Sequence, residues 1–356
     1  MSWLELMSHS PFLSEIVVRS TLAPKDERQE IASCPFPVDI VYTWVDGFDS
    51  KWRDKYLAHR QQLPHDAGKY AATAARYISR YELKYSLRSI ADFAPWANRI
   101  YIVTDEQTPS WLASDHPRIK VVDLSAIIDP QYLPTFNSYA IMANLHKIHG
   151  LSEHYVYFSD DMLLCRPVSK NNFFTSDGRL RAFFKKKIIP KTKYRLSMNT
   201  TQAATFNARK LLERRFGLTH TYKAAHTILP QRKSVAAKLE KAIADHYPTM
   251  MRAKFREKAN VDTGSVMHQN LACLWNEGVS SHTTYTQVDA EWQQAILYYS
   301  ILMKLKGTDL APTVFCVGCP NWRTSPFDLK RRSDRNLMHF FEEYYPSPSP
   351  YEVQKV

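Results

Sequence analysis

The stretch VDIVYTW at residues 38–44 decides the fold of this chain. It is short, rich in β-branched and aromatic residues, and followed by the turn pair Asp46-Gly47, which is typical of a buried strand. Similar stretches occupy residues 99–105, 119–123 and 154–158. Between the first two, Leu83, Leu87 and Ile90 recur at helical spacing until Pro95. Strands that alternate with helices predict an α/β domain with a mainly parallel sheet.

The second half of the chain favours helices. Helical patterns occur at residues 208–216 and at Val235, Leu239 and Ile243. Asp289 is expected to cap a longer helix that runs through Leu305. The buried face of that helix is predicted to carry Trp292, Ala295, Ile296 and Tyr299.

Acidic residues follow three of the predicted strands, at Asp46, at Asp105 and at the pair Asp160–Asp161. Ligands of such sheets bind beyond the carboxyl ends of the strands, so these side chains are expected to lie together. Adjacent carboxylates repel each other unless a cation lies beside them. Mg²⁺ usually takes one or two carboxylates plus substrate phosphates. The alternative is a pair of solvated acids, but the matching positions favour a metal–diphosphate site at Asp160 and Asp161.

Several other residues allow two interpretations. Tyr42 and Trp44 could pack against a base or ribose, or belong to the core, whereas Asp46 favours a functional role. Asn137 and Ser138 precede a helical run, where they could bind a nucleotide or simply cap the helix. From spacing alone, the cap is favoured.

Positively charged and titratable side chains in the second half give a weaker signal. His226 could act as a general base and Arg256 could hold phosphate oxygens, but neither residue stands out among 13 histidines and many arginines. Residues 185–195 are rich in lysine, with aromatic residues interleaved. This basic stretch predicts either a surface for an anionic polymer or a solvated face.

Composition narrows the class of partner. The formal net charge of +12 and the pI of about 9.3 indicate an anionic partner. Five cysteines, with one CxxC at Cys316 and Cys319, favour reduced thiols over a disulfide scaffold or a zinc site. Glycine-rich phosphate loops and the nucleophile elbow of hydrolases are absent from the sequence. Since no nucleic-acid-binding motif occurs either, nucleic acid is not expected as a partner.

The sequence also predicts where the protein is located and where its segments begin and end. No apolar run approaches the roughly 20 residues that a membrane span needs, and the first 20 residues do not form a signal peptide pattern. A cytoplasmic protein is expected, and its charge is compatible with peripheral association at the inner face of the cell membrane. Residues 1–37 are predicted to be a peripheral arm, and residues 346–356 an exposed tail.

Residues 39–47 and 82–90 resemble the first two blocks of the Stealth family of sugar-1-phosphate transferases. The similarity continues at residues 94–96, 99–105, 109–112, 134–138, 150–154 and 160–162. A looser third block runs from Asn207 to Gly217, with His226 and the pair Phe255-Arg256 after it. The family includes bacterial capsule polymerases and the lysosomal-enzyme GlcNAc-1-phosphotransferase. Its members move a hexose- or hexosamine-1-phosphate from a UDP-sugar.

The resemblance implies one catalytic domain over residues 38–345, with a Rossmann-like (GT-A-like), mainly parallel sheet. Residues 38–180 would bind the nucleotide-sugar, and the more helical residues 181–310 would be inserted or packed beside them. It implies Mg²⁺ or Mn²⁺ at Asp160 and Asp161, a UDP-sugar donor and an anionic glycan acceptor. The residues implied to act at the phosphoryl group are Asp161, His226 and Arg256. Those implied to line the nucleotide-sugar site are Tyr42, Thr43, Trp44, Asp46, Arg88, Asn137 and Ser138.

Two departures from the family pattern stand out. Ser159 precedes the acid pair where the family usually has Asn, and the last block lacks the usual Asp after Asn321. Without the resemblance, the residues alone also allow a metal-dependent GT-A glycosyltransferase that releases UDP. They also allow a basic module that binds an anionic polymer or a membrane. The identity of the general base, His226 or a nearby carboxylate, stays open.

Overall fold

The computed structural model describes residues 17–22, 33–63, 72–191, 197–318 and 332–353. Strands and helices alternate along these residues, and we number each kind in chain order. The strands are β1 Arg19–Ser20, β2 Val38–Thr43, β3 Ile100–Thr104, β4 Ile119–Asp123, β5 His154–Ser159, β6 Met162–Leu164, β7 Leu180–Ala182, β8 Phe184–Ile188, β9 Tyr222–Ala224, β10 Leu229–Arg232, β11 Gly278–Ser280, β12 Thr284–Asp289 and β13 Val314–Gly318. The helices are α1 Ser50–Arg60, α2 Glu82–Phe93, α3 Ser138–Met142, α4 Thr200–Phe216, α5 Lys233–Ala242, α6 Tyr247–Arg252, α7 His268–Leu274, α8 Ala295–Leu305 and α9 Arg332–Tyr344.

The four strands predicted from the sequence form the centre of one sheet, in the order β10-β5-β2-β3-β4. Strands β5, β2, β3 and β4 are parallel, and β10 is antiparallel to β5. Strands β2 and β3 are almost completely buried, as expected for parallel strands covered on both faces. The prediction of an α/β fold with a mainly parallel sheet is therefore confirmed.

A second sheet of four strands has the order β1-β12-β13-β6. The chain passes from β5 of the first sheet to β6 of the second through the two-residue turn Asp160–Asp161. The acid pair therefore lies at the junction of the two sheets. Val317 in β13 donates its backbone N–H to the carbonyl of Asp161 (3.0 Å) and so ties the junction to the second sheet.

Helix α2 supports this junction from behind. Leu83, Leu87 and Ile90 are buried in the core, which confirms the predicted helical face. Ser86 Oγ donates to the carbonyl oxygen of Met162 (2.6 Å), and Ser89 Oγ accepts from the N–H of Leu164 (3.0 Å). These bonds fix strand β6 directly after the acid pair, so α2 has a positioning role as well as a packing one.

In the second half, one predicted helix is longer than expected and another begins later. Helix α4 begins after the capping residue Asn199, nine residues before the expected start. Helix α8 begins at Ala295, because Asp289 is the last residue of β12 and accepts a hydrogen bond from the N–H of Glu291 (3.0 Å). The prediction that Asp289 caps this helix was wrong, and Trp292 and Ile296 are exposed instead of buried.

Both ends of the described chain pack against the rest of the molecule. Strand β1 of the expected peripheral arm pairs with β12, and Thr21 is buried. The expected exposed tail folds back: Tyr351 and Glu352 are buried, and Glu352 forms a β-bridge with Leu112. The prediction of an exposed tail was wrong because this segment carries a partner for a buried arginine, described below.

In the ranges that the structure describes, no helix combines the length and the apolar character that crossing a bilayer requires.

Candidate active site

A cavity of about 480 Å³ lies at the carboxyl ends of β2, β3 and β5. This size is typical of small-molecule sites. The first sheet contributes Thr43, Asp105 and Asp160 to its lining, and the second half of the chain contributes the opposite wall. Its charged or titratable lining residues are Arg76, Asp105, Asp160, Lys185, Lys223, His226, Arg256 and Asp262.

The acid pair is half-buried beside this cavity. Burial raises the pKa of Asp160, and the neighbouring carboxylate of Asp161 raises it further. Burial also raises the pKa of Asp161, to about 6. Cys316 Sγ lies 3.7 Å from Asp161 Oδ2, as a weak donor to that oxygen. Two adjacent carboxylates, one of which raises the pKa of the other, are the arrangement that a cation stabilises.

The same pair can be tested for its fit to a metal ion. Among the described residues, no group of three or more His, Cys, Asp or Glu side chains could hold one. Asp161 Oδ1, however, is buried without a hydrogen-bond partner. Mg²⁺ needs only one or two carboxylates when water and substrate phosphates supply its other ligands. The pair therefore fits Mg²⁺ or Mn²⁺ carried with a diphosphate, and does not fit a metal held by protein ligands alone.

Arg256 is held against α3 by two hydrogen bonds. Its Nε and one terminal nitrogen donate to Ser138 Oγ, at 2.9 and 2.6 Å, and its guanidinium carbon lies 5.2 Å from the centre of the Tyr139 ring. Arg256 also acts electrostatically on Asp161, whose pKa it lowers against the larger effect of burial. The structure thus places Ser138, Arg256 and Asp160 around one cavity.

A second arginine, Arg76, lines the cavity near Arg256. Burial lowers the pKa of Arg76 to about 10, and the positive charge of Arg256 contributes to that change. Two guanidinium groups that repel each other in one cavity form a ready site for an anion. Sequence reasoning missed Arg76, since it lies in a single 3-10 turn, Ala74–Tyr77, that carries no periodic pattern.

His226 lies on the opposite wall and is accessible from the cavity. Burial lowers its pKa to about 4, and the cations Lys185, Arg256 and Lys223 act in the same direction. The imidazole is therefore neutral at pH 7 and able to accept a proton. Sequence reasoning also missed Lys223. It lies in β9, three residues before His226, and this closeness in sequence was a usable signal.

The residues expected from the first strand divide into two groups. Thr43 and Trp44 line the cavity, and Thr43 Oγ1 lies 2.9 Å from the hydroxyl of Tyr157. Tyr42 is fully buried, and its hydroxyl is 2.6 Å from Ser86 Oγ, so it supports α2 from the core. Asp46 is not part of the lining, and its carboxylate accepts a hydrogen bond from the N–H of Phe48 (2.9 Å).

Gly47 explains how the loop after β2 is held. Its N–H donates to the carbonyl of Tyr77 at 2.6 Å, and a Cβ at this position would lie 2.6 Å from the same oxygen. Only glycine allows so close an approach. The contact joins the loop that carries Trp44 to the turn that carries Arg76, so both reach the same cavity.

Two further expected residues do not reach the cavity. Arg88 is buried behind α2, where it forms a two-point ion pair with Glu352 (2.8 and 2.9 Å) and donates to the carbonyl of Tyr345 (2.8 Å). Its expected place in the nucleotide-sugar site is corrected, because its donors are engaged by the C-terminal segment. Asn137 is fully buried and caps α3 by accepting from the N–H of Tyr139 (3.2 Å), which confirms the helix-cap interpretation.

Carboxylates and cations around one cavity, at the carboxyl edge of a parallel sheet, define an α/β protein with a site for a phosphorylated ligand. Family models for Stealth protein conserved region 1 and conserved region 2 match residues 36–62 and 76–182. A capsular polysaccharide phosphotransferase of Aeromonas hydrophila is 32% identical over 314 residues, which are 86% of this chain and 85% of that protein. The chain belongs to the Stealth family.

Other similarities differ in how much of each protein they cover. An exopolysaccharide phosphotransferase of Streptomyces coelicolor is 37% identical over 320 residues, which are 89% of this chain and 52% of that protein. This chain thus spans about half the length of several curated relatives. Among solved structures, the galactosyltransferase LgtC with donor and acceptor sugar analogues matches 89% of this chain and 98% of its own, with 12% identity and a TM-score of 0.40.

Proposed function

We propose that this protein transfers a hexose- or hexosamine-1-phosphate from a UDP-sugar to a hydroxyl group of a glycan, in the synthesis of a capsular or extracellular polysaccharide. The reaction forms a phosphodiester and releases UMP. The relatives named phosphotransferases support the class of reaction. The UDP-sugar donor and UMP as the leaving group are what the resemblance to the family implies.

One observation carries the proposal: Asp160 of the acid pair and four cationic side chains share one cavity. Asp160, Arg76, Lys185, Lys223 and Arg256 all line it. Phosphoryl transfer requires little covalent participation by the protein, and its catalysis consists mainly of positioning and electrostatic stabilisation. A cavity rich in cations, with carboxylates suited to a divalent ion, supplies both.

In the proposed reaction, the acceptor oxygen attacks the phosphorus atom that bears the sugar. The new oxygen–phosphorus bond forms as the bond between that phosphorus and the oxygen bridging to UMP breaks, and UMP keeps the electron pair. The acceptor's proton passes to the neutral imidazole of His226 or to a nearby carboxylate. The bond between sugar C1 and its oxygen stays intact, so the anomeric configuration is retained.

The chain's own residues have distinct parts in this scheme. Arg256, held by Ser138, would neutralise charge on the phosphoryl oxygens. Thr43 and Trp44 would contact the nucleoside end of the donor. Asp160 and Asp161 would hold Mg²⁺ or Mn²⁺, which when bound supplies positive charge to the diphosphate.

Product analysis tests the proposal. The purified protein is incubated with Mg²⁺, a panel of UDP-sugars and short glycan acceptors, and the nucleotide products are separated. Release of UMP together with a phosphodiester-linked sugar on the acceptor is the expected result. Release of UDP with a simple glycosidic product would overturn it and identify a glycosyltransferase.

A further inference from the structure

Two lysines form a compact group on the cavity wall formed by β8 and β9. These strands are antiparallel, and Phe184 lies opposite Ala224. Lys185 directly follows Phe184 and Lys223 directly precedes Ala224. The register shifts between Phe184 and Ile188, but the charge of Lys223 acts on Lys185, so the two lysines lie near each other. Both lysines line the cavity, as do the residues from Ala224 to Thr227.

The surroundings of these lysines are cationic. The charged groups that act on Lys185 are Lys223 and Arg19, and together with burial they lower its pKa. Apart from Asp160, the acids that line the cavity have partners of their own: Asp105 pairs with Lys55 (2.9 Å), and Asp262 Oδ1 accepts from the N–H of Ser265 (3.0 Å). Like charges collected in this way destabilise the empty site and favour an anionic ligand.

An unsatisfied hydroxyl lies on the same wall. Thr227 is 1% exposed, and its Oγ1 is buried without a hydrogen-bond partner. It follows His226 directly, so a donor is available next to the imidazole and the two lysines. An unpaired buried hydroxyl costs free energy that a bound ligand recovers.

A count of the charges in the cavity indicates that the two lysines are not needed to bind the donor. A UDP-sugar diphosphate carries about two negative charges at pH 7, and a divalent ion on Asp160 and Asp161 is already balanced by those carboxylates. Arg76 and Arg256, which lie close enough to repel each other, match the donor diphosphate. Lys185 and Lys223, which both act electrostatically on His226, then remain as surplus positive charge.

We propose that Lys185, Lys223 and Thr227 form a second anion subsite, which binds a phosphate group of the glycan acceptor. The inference rests on the proposed function in one respect, because the proposed function identifies the bound anion as the acceptor's phosphodiester. A phosphate at this position places the neighbouring acceptor hydroxyl beside His226. The enzyme would then prefer acceptors that already carry a phosphodiester, as a growing polymer of sugar phosphates does.

Direct binding tests the subsite without requiring turnover. The probes are a synthetic disaccharide carrying a methyl phosphodiester, the same disaccharide without it, and UDP with Mg²⁺. Their affinities are measured by calorimetry for the full chain and for the double variant Lys185→Gln/Lys223→Gln. We expect the variant to bind the phosphodiester probe about tenfold to a hundredfold more weakly, which corresponds to about 1.4–2.8 kcal/mol, and to bind UDP within about twofold of wild type.

A matched control comes from the same strand. Lys186 and Lys187 are exposed and do not line the cavity, so Lys186→Gln/Lys187→Gln removes the same charge. This variant should bind both probes as wild type does. Equal loss of phosphodiester binding in both double variants would reduce the effect to net charge and overturn the subsite.

The remaining outcomes are equally decisive. If Lys185→Gln/Lys223→Gln weakens UDP as much as the phosphodiester probe, the lysines belong to the donor site and the inference is wrong. It is also wrong if wild type binds the disaccharide equally well with and without its phosphodiester. Intact phosphodiester binding with no UMP release from any UDP-sugar would support the subsite and count against the proposed reaction only.

Discussion

Two regions of the molecule hold clusters of cationic side chains, and they differ in the charged neighbours of those cations. Behind α2, Arg88 and Lys84 both contact Glu352, at 2.8 and 3.2 Å. In the cavity, Lys185, Lys223 and Arg76 have other cations as their charged neighbours. The pKa of Arg88 is raised, chiefly by its hydrogen bond to Glu352, whereas burial lowers the pKa of Lys185.

The difference indicates which charges serve the fold and which serve a ligand. A buried charge with a matched partner contributes to structure, and removing either partner leaves the other uncompensated. Cations that repel one another around a cavity destabilise the free protein, and this cost is offset when an anion binds. The first region is therefore expected to respond to mutation in stability, and the second in turnover and binding.

The largest effect is expected at Arg256. Arg256→Ala should lower kcat by about a thousandfold, since an arginine at a transferring phosphoryl group contributes roughly 10³ or more. The free energy of unfolding should change by less than about 1 kcal/mol. UMP release under saturating donor and urea unfolding measure the two quantities.

Arg252 provides the control for this change. It is exposed and lies four residues before Arg256, at the end of α6. Arg252→Ala should leave both quantities unchanged. Near-normal turnover in Arg256→Ala would remove Arg256 from the proposed mechanism.

The converse result is expected for Arg88. Arg88→Met should lower the free energy of unfolding by roughly 3 kcal/mol, because it leaves the buried carboxylate of Glu352 with Lys84 as its one ion-pair partner among the described residues. Turnover of the folded variant should stay within about threefold of wild type. Urea unfolding and UMP release measure these effects, and a large loss of turnover in a fully stable variant would return Arg88 to the active site.

An exposed arginine serves as the control here. Arg118 donates to the carbonyl of Pro95 at 3.2 Å on the surface. Arg118→Met is expected to change the free energy of unfolding by less than about 0.5 kcal/mol.

Local sequence patterns predict the first sheet well because its strands are short, apolar and bounded by turn residues. They also place the acid pair at a strand end, and the structure has it there. They could not reveal that this turn joins two sheets, since β13 pairs with β6 from about 150 residues further along the chain. The partner of Asp161 in the second sheet is for the same reason not visible in the sequence around it.

The wrong prediction that Arg88 lies in the nucleotide-sugar site has the same physical origin. Its partner Glu352 is 264 residues away in sequence, so no local pattern distinguishes a structural arginine in α2 from one that binds a ligand. Two cations of the cavity, Arg76 and Lys223, were missed for a related reason. They come from a single 3-10 turn and a three-residue strand that only the tertiary fold brings to the cavity of Asp160.

A smaller effect concerns how stability depends on pH. The hydrogen bond from Arg88 lowers the pKa of Glu352 from 4.5 to about 2, against the opposing effect of burial, which is the largest single contribution. Since the folded-state pKa is depressed, the stabilisation is complete above about pH 4.5 and is lost as the pH falls toward 2. Glu352→Gln should remove roughly 2 kcal/mol of this pH dependence, measured by urea unfolding at several pH values.

The exposed Glu343 of α9 gives the matched comparison for that experiment. Glu343→Gln removes the same charge from the surface and should leave the slope below pH 4.5 as in wild type. If both variants equally flatten the curve of unfolding free energy against pH, the pH dependence reflects net charge and not the Arg88–Glu352 pair.

The smallest effect is the most direct measure of unpaired charge. The pKa of His226 is lowered to about 4 by burial and then by Lys185, Arg256 and Lys223. In Lys185→Gln/Lys223→Gln, loss of repulsion should raise that pKa toward the usual 6.5, while Arg88→Met should leave it unchanged. NMR titration of the imidazole gives the value in each variant. An unchanged pKa in the lysine variant would show that burial and the other cations set it, and that the two lysines lie too far from His226 to serve an acceptor beside it.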